Sequence, residues 1–257
     1  IFPLAAMLCD IADVSSNGFV GFIAVWAAIT LIGFTSIMIS SGIVFRAYYM
    51  NVTYDKWRWK TNPKFPSPEK VRDEIVQTVK GVCTATLCPT VSLYLASIKS
   101  PYSKAYCVEG IIDDEANGGW QSTAVQFLLI VLVSDFWEWG YHRLGHVLPD
   151  FWNVHKHHHV FFNPSPFAVI ADEYIDQFFR AAPLLVFPMI YKINMDVMFF
   201  TYGVFFYAYG VYLHWGYESP LLSAHNPVVN TAFQHYCHHA KAILNKPYHC
   251  GFFLKLW

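Results

Sequence analysis

No charged side chain occurs between residues 20 and 45. A stretch that long exceeds the roughly 20 residues a helix needs to cross a bilayer. It therefore reads as a membrane-spanning helix. Residues 75–98 form a second, weaker span interrupted by Lys80 and Pro89, and residues 120–139 form a third. Residues 178–191 are short and carry Pro183 and Pro188, which predicts a kinked or tilted segment. Residues 195–213 are strongly aromatic and long enough to cross. Only Lys192, Ile193 and Asn194 separate these last two, so they are expected to form a helical hairpin.

Composition agrees with a membrane as solvent. The chain is 55% hydrophobic and only 14% charged, against about 25% charged in soluble domains. The net charge of −1 gives no global field for nucleic acid. The cysteines at 9, 83, 88, 107, 237 and 250 contain no CxxC pair and suggest no disulfide framework. The chain begins at Ile1 and stops at Trp257, and both ends read as trimmed. No repeat or linker divides it, so residues 1–257 are expected to form a single membrane domain.

Charge placement orients the spans. The loop 46–72 holds Arg46, Lys56, Arg58, Lys60, Lys64, Lys70 and Arg72, which the positive-inside rule assigns to the cytoplasm. The next loop, 99–119, holds Asp113, Asp114 and Glu115 and falls on the opposite side. Counting crossings returns the chain to the cytoplasmic face at residue 142, and the hairpin returns it there before residue 214.

All 12 histidines lie in the part of the chain that follows, from His142 to His249. Eight fall into three clusters: His142 and His146; His155, His158 and His159; His235, His238 and His239. Residues three and four apart share a helical face, so each cluster can aim its imidazoles at one point. Eight convergent neutral imidazoles suit two transition-metal ions of about four ligands each, by ligand type iron, copper or zinc. His157 fills a position off that face. His214 reads as an added ligand, while His225 and His249 read as interfacial or structural. Asp135 and Glu138 precede His142 by seven and four residues, which suggests carboxylates behind a ligand imidazole. The expectation is an all-α integral membrane bundle of four to five spans, with a cytoplasmic histidine-rich cap holding two metals.

The order HxxxH, HxxHH, HxxHH resembles the fatty acid hydroxylase/sterol desaturase superfamily of membrane di-iron enzymes. The likeness extends to Asp135-Phe-Trp-Glu-Trp-Gly-Tyr-His-Arg143, to His155-Lys-His-His-His159 with Ser165-Pro-Phe167, and to Asn226-Pro-Val-Val-Asn230 with Leu256-Trp257, the last two being similar to sterol C-5 desaturases. It covers roughly residues 50–257. One segment departs: His214-Trp-Gly-Tyr-Glu-Ser-Pro220 looks more like sterol C-4 methyl oxidases.

The resemblance implies metal ligation by His142, His146, His155, His158, His159, His214, His235, His238 and His239, with Asp135, Glu138 and Asn230 supporting them. It further implies two iron ions, with zinc able to substitute, and O2 as oxidant. Electrons would come from NAD(P)H through cytochrome b5 or a ferredoxin. The substrate would be a lipid, the reaction sterol desaturation of the C-5 type, and the place the endoplasmic reticulum in a eukaryote. Fatty acyl or sphingoid hydroxylation and sterol C-4 methyl oxidation stand as alternatives within that chemistry. A non-catalytic metal-containing subunit of a membrane complex stands as the alternative outside it. The aromatic residues 199–212 could wall a sterol cavity or simply face lipid.

Overall fold

The computed structural model describes residues 11–108 and 111–257; Cys9 lies outside them. The chain is mostly helical. Helix α1 (Gly18–Phe45) passes into a π-helical turn at Arg46–Met50. Helix α2 (Pro68–Ala85) starts where Ser67 accepts from the Lys70 amide and Pro68 occupies the first turn, a start that leaves no amide wasted on proline. It continues almost directly into α3 (Leu87–Ser97). Gly118 and Gly119, both at positive φ, launch α4 (Gly119–Val147). Pro149 then opens α5 (Pro149–His155).

Among the described residues three helical stretches are long and apolar enough to cross a membrane: Gly18–Met50, Pro68–Ser97 and Gly119–Val147. The fourth expected span is not one helix. It divides into α6 (Tyr174–Arg180) and α7 (Pro183–Ile190), because Pro183 cannot continue the preceding hydrogen-bond ladder. The fifth is a continuous helical run, α8, made of Met195–Phe200, a π stretch Thr201–Phe206 and Tyr207–His214. Two residues at the α7–α8 corner, Ile193 and Asn194, pair in parallel with Ala105 and Tyr106. That corner is tied down by polar groups: Asn194 Nδ2 donates to Asp113 at 2.8 Å, and its amide donates to Gln126 Oε1 at 2.6 Å.

Packing places two apolar clusters under the histidines. One joins Cys88, Leu93, Ile130, Leu184, Met195 and Met198. The other joins Ile37, Val82, Val169, Ile170 and Val211. Much of α1, by contrast, exposes Ile, Leu and Phe side chains, as a lipid-facing helix does.

Two expectations change here. Cys107 is disulfide-bonded, so the cysteines are not all free thiols; Cys83, Cys88, Cys237 and Cys250 are. Lys60 is not a solvated loop residue. It is buried, with its ammonium 5.0 to 5.3 Å from the ring centroids of Tyr49, Phe65 and Tyr217. That arrangement is a cation–π cage, and burial lowers the Lys60 pKa to about 8. The cage and two backbone bonds, Thr61 N–H to Gly216 and Glu218 N–H to Trp59, pin the loop to the segment that follows α8.

Candidate metal centre

Four pieces of chain carry the imidazoles. The last turns of α4 present His142 and His146, four residues apart on one face. Helix α5 ends at His155, and the turn that follows brings His158 and His159 round. The second cluster is therefore not helical throughout, as its spacing suggested: the chain leaves the helix at the first of its histidines. His214 closes α8. Helix α9 (Ala232–Lys241), begun by a capping box of Thr231 and Gln234, carries His235, His238 and His239.

These side chains converge into two groups. His142, His146, His155, His159 and His238 form the first, and His158, His214, His235 and His239 the second; within each, the ligand atoms lie within 4.8 Å of one another. All nine residues expected as ligands are thus brought together, five and four. The clusters do not map one to a group, because the turn after His155 sends His158 one way and His159 the other. His157 and His225 are exposed and join neither group. His249 is exposed too, at positive φ.

Hydrogen bonds fix the tautomers. Carbonyl and carboxylate oxygens only accept, so an imidazole nitrogen facing one carries the proton. The Nδ1 of His142 donates to the Cys250 carbonyl at 3.1 Å, that of His146 to Ile243 at 3.3 Å and that of His214 to Gly210 at 2.8 Å. His238 Nδ1 donates to the Tyr248 carbonyl. His155 Nδ1 donates to Asp176 at 2.9 Å and His158 Nδ1 to the Ala171 carbonyl at 3.3 Å, with Asp172 Oδ1 3.1 Å away. Each of these six rings therefore turns an unprotonated Nε2 inward.

The inward nitrogens fit a metal. The Nε2 atoms of His142, His146 and His158 are buried and have no hydrogen-bond partner, an arrangement costly to maintain without a cation. Others crowd together: His159 Nε2 is 3.1 Å from that of His155 and 3.2 Å from that of His238, and His214 Nε2 is 3.0 Å from that of His235 and 3.3 Å from that of His239. Two imidazoles on one ion at about 2.1 Å lie about 3.0 Å apart at a right angle and about 3.4 Å apart at the tetrahedral angle. The spacing is that of a ligand shell. Burial first, and then the neighbouring imidazoles, push His159 down to about 2; burial pushes His214 to about 4. His235, His238 and His239 are driven well below the ordinary value for the same reasons, and His158 by burial and then the Arg180 charge. The rings are held neutral, the form that binds metal.

The three residues expected behind the ligands touch no imidazole. Asp135 lies two turns before His142, about 10 Å along the axis, beyond carboxylate reach. It accepts instead from the Phe253 amide at 2.6 Å and Trp257 Nε1 at 2.8 Å. Asn230 Nδ2 donates to the Gly251 carbonyl at 2.6 Å. Both hold the C-terminal segment, whose Cys250 carbonyl orients His142. Glu138 is claimed by the Arg180 guanidinium.

The carboxylates that do back the ligands, Asp172 and Asp176, escaped the sequence reading, as did Arg180. A signal was present: Asp172, Asp176 and Arg180 stand at four-residue spacing at the edge of an apolar stretch, where ionisable residues are rarely incidental.

With this geometry established, the comparisons with known proteins fall into place. The family model described as fatty acid hydroxylase matches residues 127–257, the part that holds every converging histidine. The chain belongs to the fatty acid hydroxylase family. Among curated relatives, it is 30% identical over 200 residues to the Delta(7)-sterol 5(6)-desaturase erg3A of Aspergillus fumigatus, covering 77% of this chain and 52% of the relative. It is 29% identical over 212 residues to the lathosterol oxidase of Mus musculus, covering 82% and 65%. A match to the Delta(7)-sterol 5(6)-desaturase of Candida glabrata covers 92% of this chain and 59% of the relative at 24% identity. The chain thus spans about half to two-thirds of the length of the curated relatives it matches. No solved structure matches it.

Proposed function

We propose that this protein is a membrane-bound, O2-dependent oxidoreductase that desaturates a sterol, with the C-5 type of reaction that its relatives' names describe. The observation that carries the reading is the convergence of nine imidazoles, eight of them buried, into two groups. Two iron ions bound there would supply oxidation of an unactivated C–H bond by O2, with electrons delivered from NAD(P)H through cytochrome b5 or a ferredoxin. His142, His146, His155, His159 and His238 would hold one ion, and His158, His214, His235 and His239 the other. Zinc would fit the same nitrogens but is redox-inert.

The chain's own part is to hold, orient and exclude. The carbonyls of Cys250, Ile243, Gly210 and Tyr248 keep Nδ1 protonated, so the opposite nitrogen is free to ligate. A cleft is lined by Ser134, Gln177, Leu184, Tyr202, Phe206 and Arg180. Its apolar walls with a few polar groups suit a lipid with one polar end. Desaturation rather than hydroxylation would follow from how that lipid is positioned.

The metal face is assigned to the cytoplasm and, in a eukaryotic cell, to the endoplasmic reticulum membrane. The basic loop 46–72 supports that side. The Cys107 disulfide lies in the loop 99–119, the opposite side, where an oxidising compartment sustains such a bond. The nine-ligand set also argues against a non-catalytic subunit. The test is conversion of a Delta(7)-sterol by iron-loaded protein in membranes supplied with NADH, cytochrome b5 and its reductase. A new 5(6) double bond that requires O2 is expected; unchanged sterol from protein that holds two irons per chain would overturn the reading.

A further inference from the structure

Each of the two histidine groups contains one imidazole set against a buried carboxylate, and Arg180 lies beside one of these carboxylates and four residues along α6 from the other. In the first group His155 donates to Asp176 at 2.9 Å; in the second His158 Nδ1 donates to the Ala171 carbonyl at 3.3 Å and lies 3.1 Å from Asp172 Oδ1. Arg180 approaches Asp172 at 3.4 Å through one nitrogen and holds Glu138 through another. It stands four residues after Asp176 on α6, the spacing that puts two side chains on one helical face. Glu138 stands four residues before His142 on α4, so the guanidinium also ties α4 to α6 beside the centre. The three carboxylates are buried, where an unbalanced carboxylate is strongly disfavoured. The Arg180 fork meets that need for two carboxylates at once, a task a single ammonium performs poorly.

We propose that Arg180 is a positioning residue for both halves of the metal centre. It fixes Asp172 directly and Asp176 through charge, and so sets how firmly His158 and His155 present their Nε2 atoms. The inference rests on the metal-pair reading above, and goes beyond it by assigning one residue outside the ligand shell to both groups. It also makes a specific claim of route: the influence of Arg180 on the second group passes through Asp172.

The experiment is cobalt(II) titration of the full chain in detergent, followed by the visible absorption of the bound ion, with thermal unfolding of the metal-free protein as the control for folding. Wild type is expected to take two cobalt ions. Asp172→Asn should weaken one of the two by roughly 10–100-fold and leave the other as in wild type. Arg180→Lys should weaken both, with a shift in the cobalt absorption bands. In the double variant Arg180→Lys/Asp172→Asn, the second group should be no weaker than in Asp172→Asn alone, since the route is already cut. If Arg180→Lys does not fold, the charge-matched pair Arg180→Gln/Glu138→Gln is used in its place, with the same expectation for both groups. A folded Arg180 variant that takes two cobalt ions with wild-type affinity and spectrum would overturn the proposal. Additive losses at the second group would overturn the route through Asp172. Wild-type protein that takes at most one cobalt ion would instead overturn the metal-pair reading, which keeps the two failures apart.

Discussion

His155 and Asp176 meet at 2.9 Å with both side chains almost fully removed from solvent. Asp176 can only accept from the Nδ1 proton, so the other nitrogen of His155 is committed to the interior. His158 lies 3.1 Å from Asp172, with its Nδ1 donating to the Ala171 carbonyl. Three residues apart in sequence, these two imidazoles enter different groups, so removing either one should injure a different half of the centre.

Ligand removal is the most direct consequence. His155→Ala and His238→Ala should each lower the affinity of the first group, and His158→Ala that of the second, while product formation falls to background in all three. Insertion should persist, because the apolar spans are untouched. His157→Ala should keep metal and activity near wild type, since that side chain is exposed and joins neither group. Metal per chain and product per unit of membrane-integrated protein are the measurements. Equal inactivity of His157→Ala and His158→Ala would refute the assignment of the second cluster.

Gly145 offers a test that leaves every ligand in place. A Cβ there would lie 3.0 Å from the His155 ring, closer than ordinary contact. Gly145→Ala should push that imidazole by a few tenths of an ångström and weaken the first group selectively, by roughly 10-fold in metal affinity if the shift acts like other losses of ligand orientation. Helix propensity alone would favour alanine, so a thermal midpoint that holds or rises while metal is lost would identify the ring contact as the cause. Unchanged metal content would count against the ring positions.

Acid should destabilise the metal-free protein. Burial holds His214 near 4 and His159 near 2 in the folded chain, whereas both titrate near 6.5 when unfolded. Below that value the unfolded chain binds protons that the folded chain refuses, so stability is complete above pH 6.5 and drains as pH falls toward the folded values. For His214 alone the loss is on the order of 3 kcal/mol by pH 4. Thermal unfolding of chelator-treated protein between pH 7.5 and 4.5 should show a falling midpoint. A flat profile would mean that the imidazoles are not held neutral by the fold.

How much of this was legible in the sequence depends on what each feature requires. Metal ligation demands one residue type at close spacing, so His142, His146, His155, His158, His159, His235, His238 and His239 stood out, and the apolar runs stood out by length. Contacts between distant parts of the chain leave no such trace. Asp172 meets His158 only because the chain turns back after residue 159, and Asp135 meets Trp257 across nearly half the chain. In the 178–191 segment the prolines foretold a kink, but not that Pro183 would split it into two helices. Lys60 was legible only as one charge of a basic loop; its aromatic cage is assembled from three separate segments.

Asp135 should matter through the C-terminal segment. It accepts from the amides of Phe253 and Leu254 and from the Trp257 indole, and that segment supplies the carbonyl that orients His142. Asp135→Ala should cost about 2–3 kcal/mol, given that bonds to a charged acceptor exceed neutral ones. Faster proteolysis of the last ten or so residues should accompany a lowered affinity of the first group, with the second group spared. Protection equal to wild type would show that Asp135 does not hold this segment.

Sidedness completes the set. Lys64 and Lys156 are both exposed, and the proposed topology puts them on the cytoplasmic side with all the converging histidines. Cysteines introduced at these two positions should react with an impermeant maleimide only from that side, after mutation of the free cysteines to serine. Lys60 would be a poor probe, being buried among aromatic rings. Cys107 should behave in the opposite way, becoming reactive only after reduction and only from the other face, where its disulfide would be stable. The proposed topology rests on two signals, the basic loop and the disulfide. Labelling of Lys64→Cys and Lys156→Cys from opposite sides would break the crossing count between α1 and α4, and with it the assignment of the metal face to the cytoplasm.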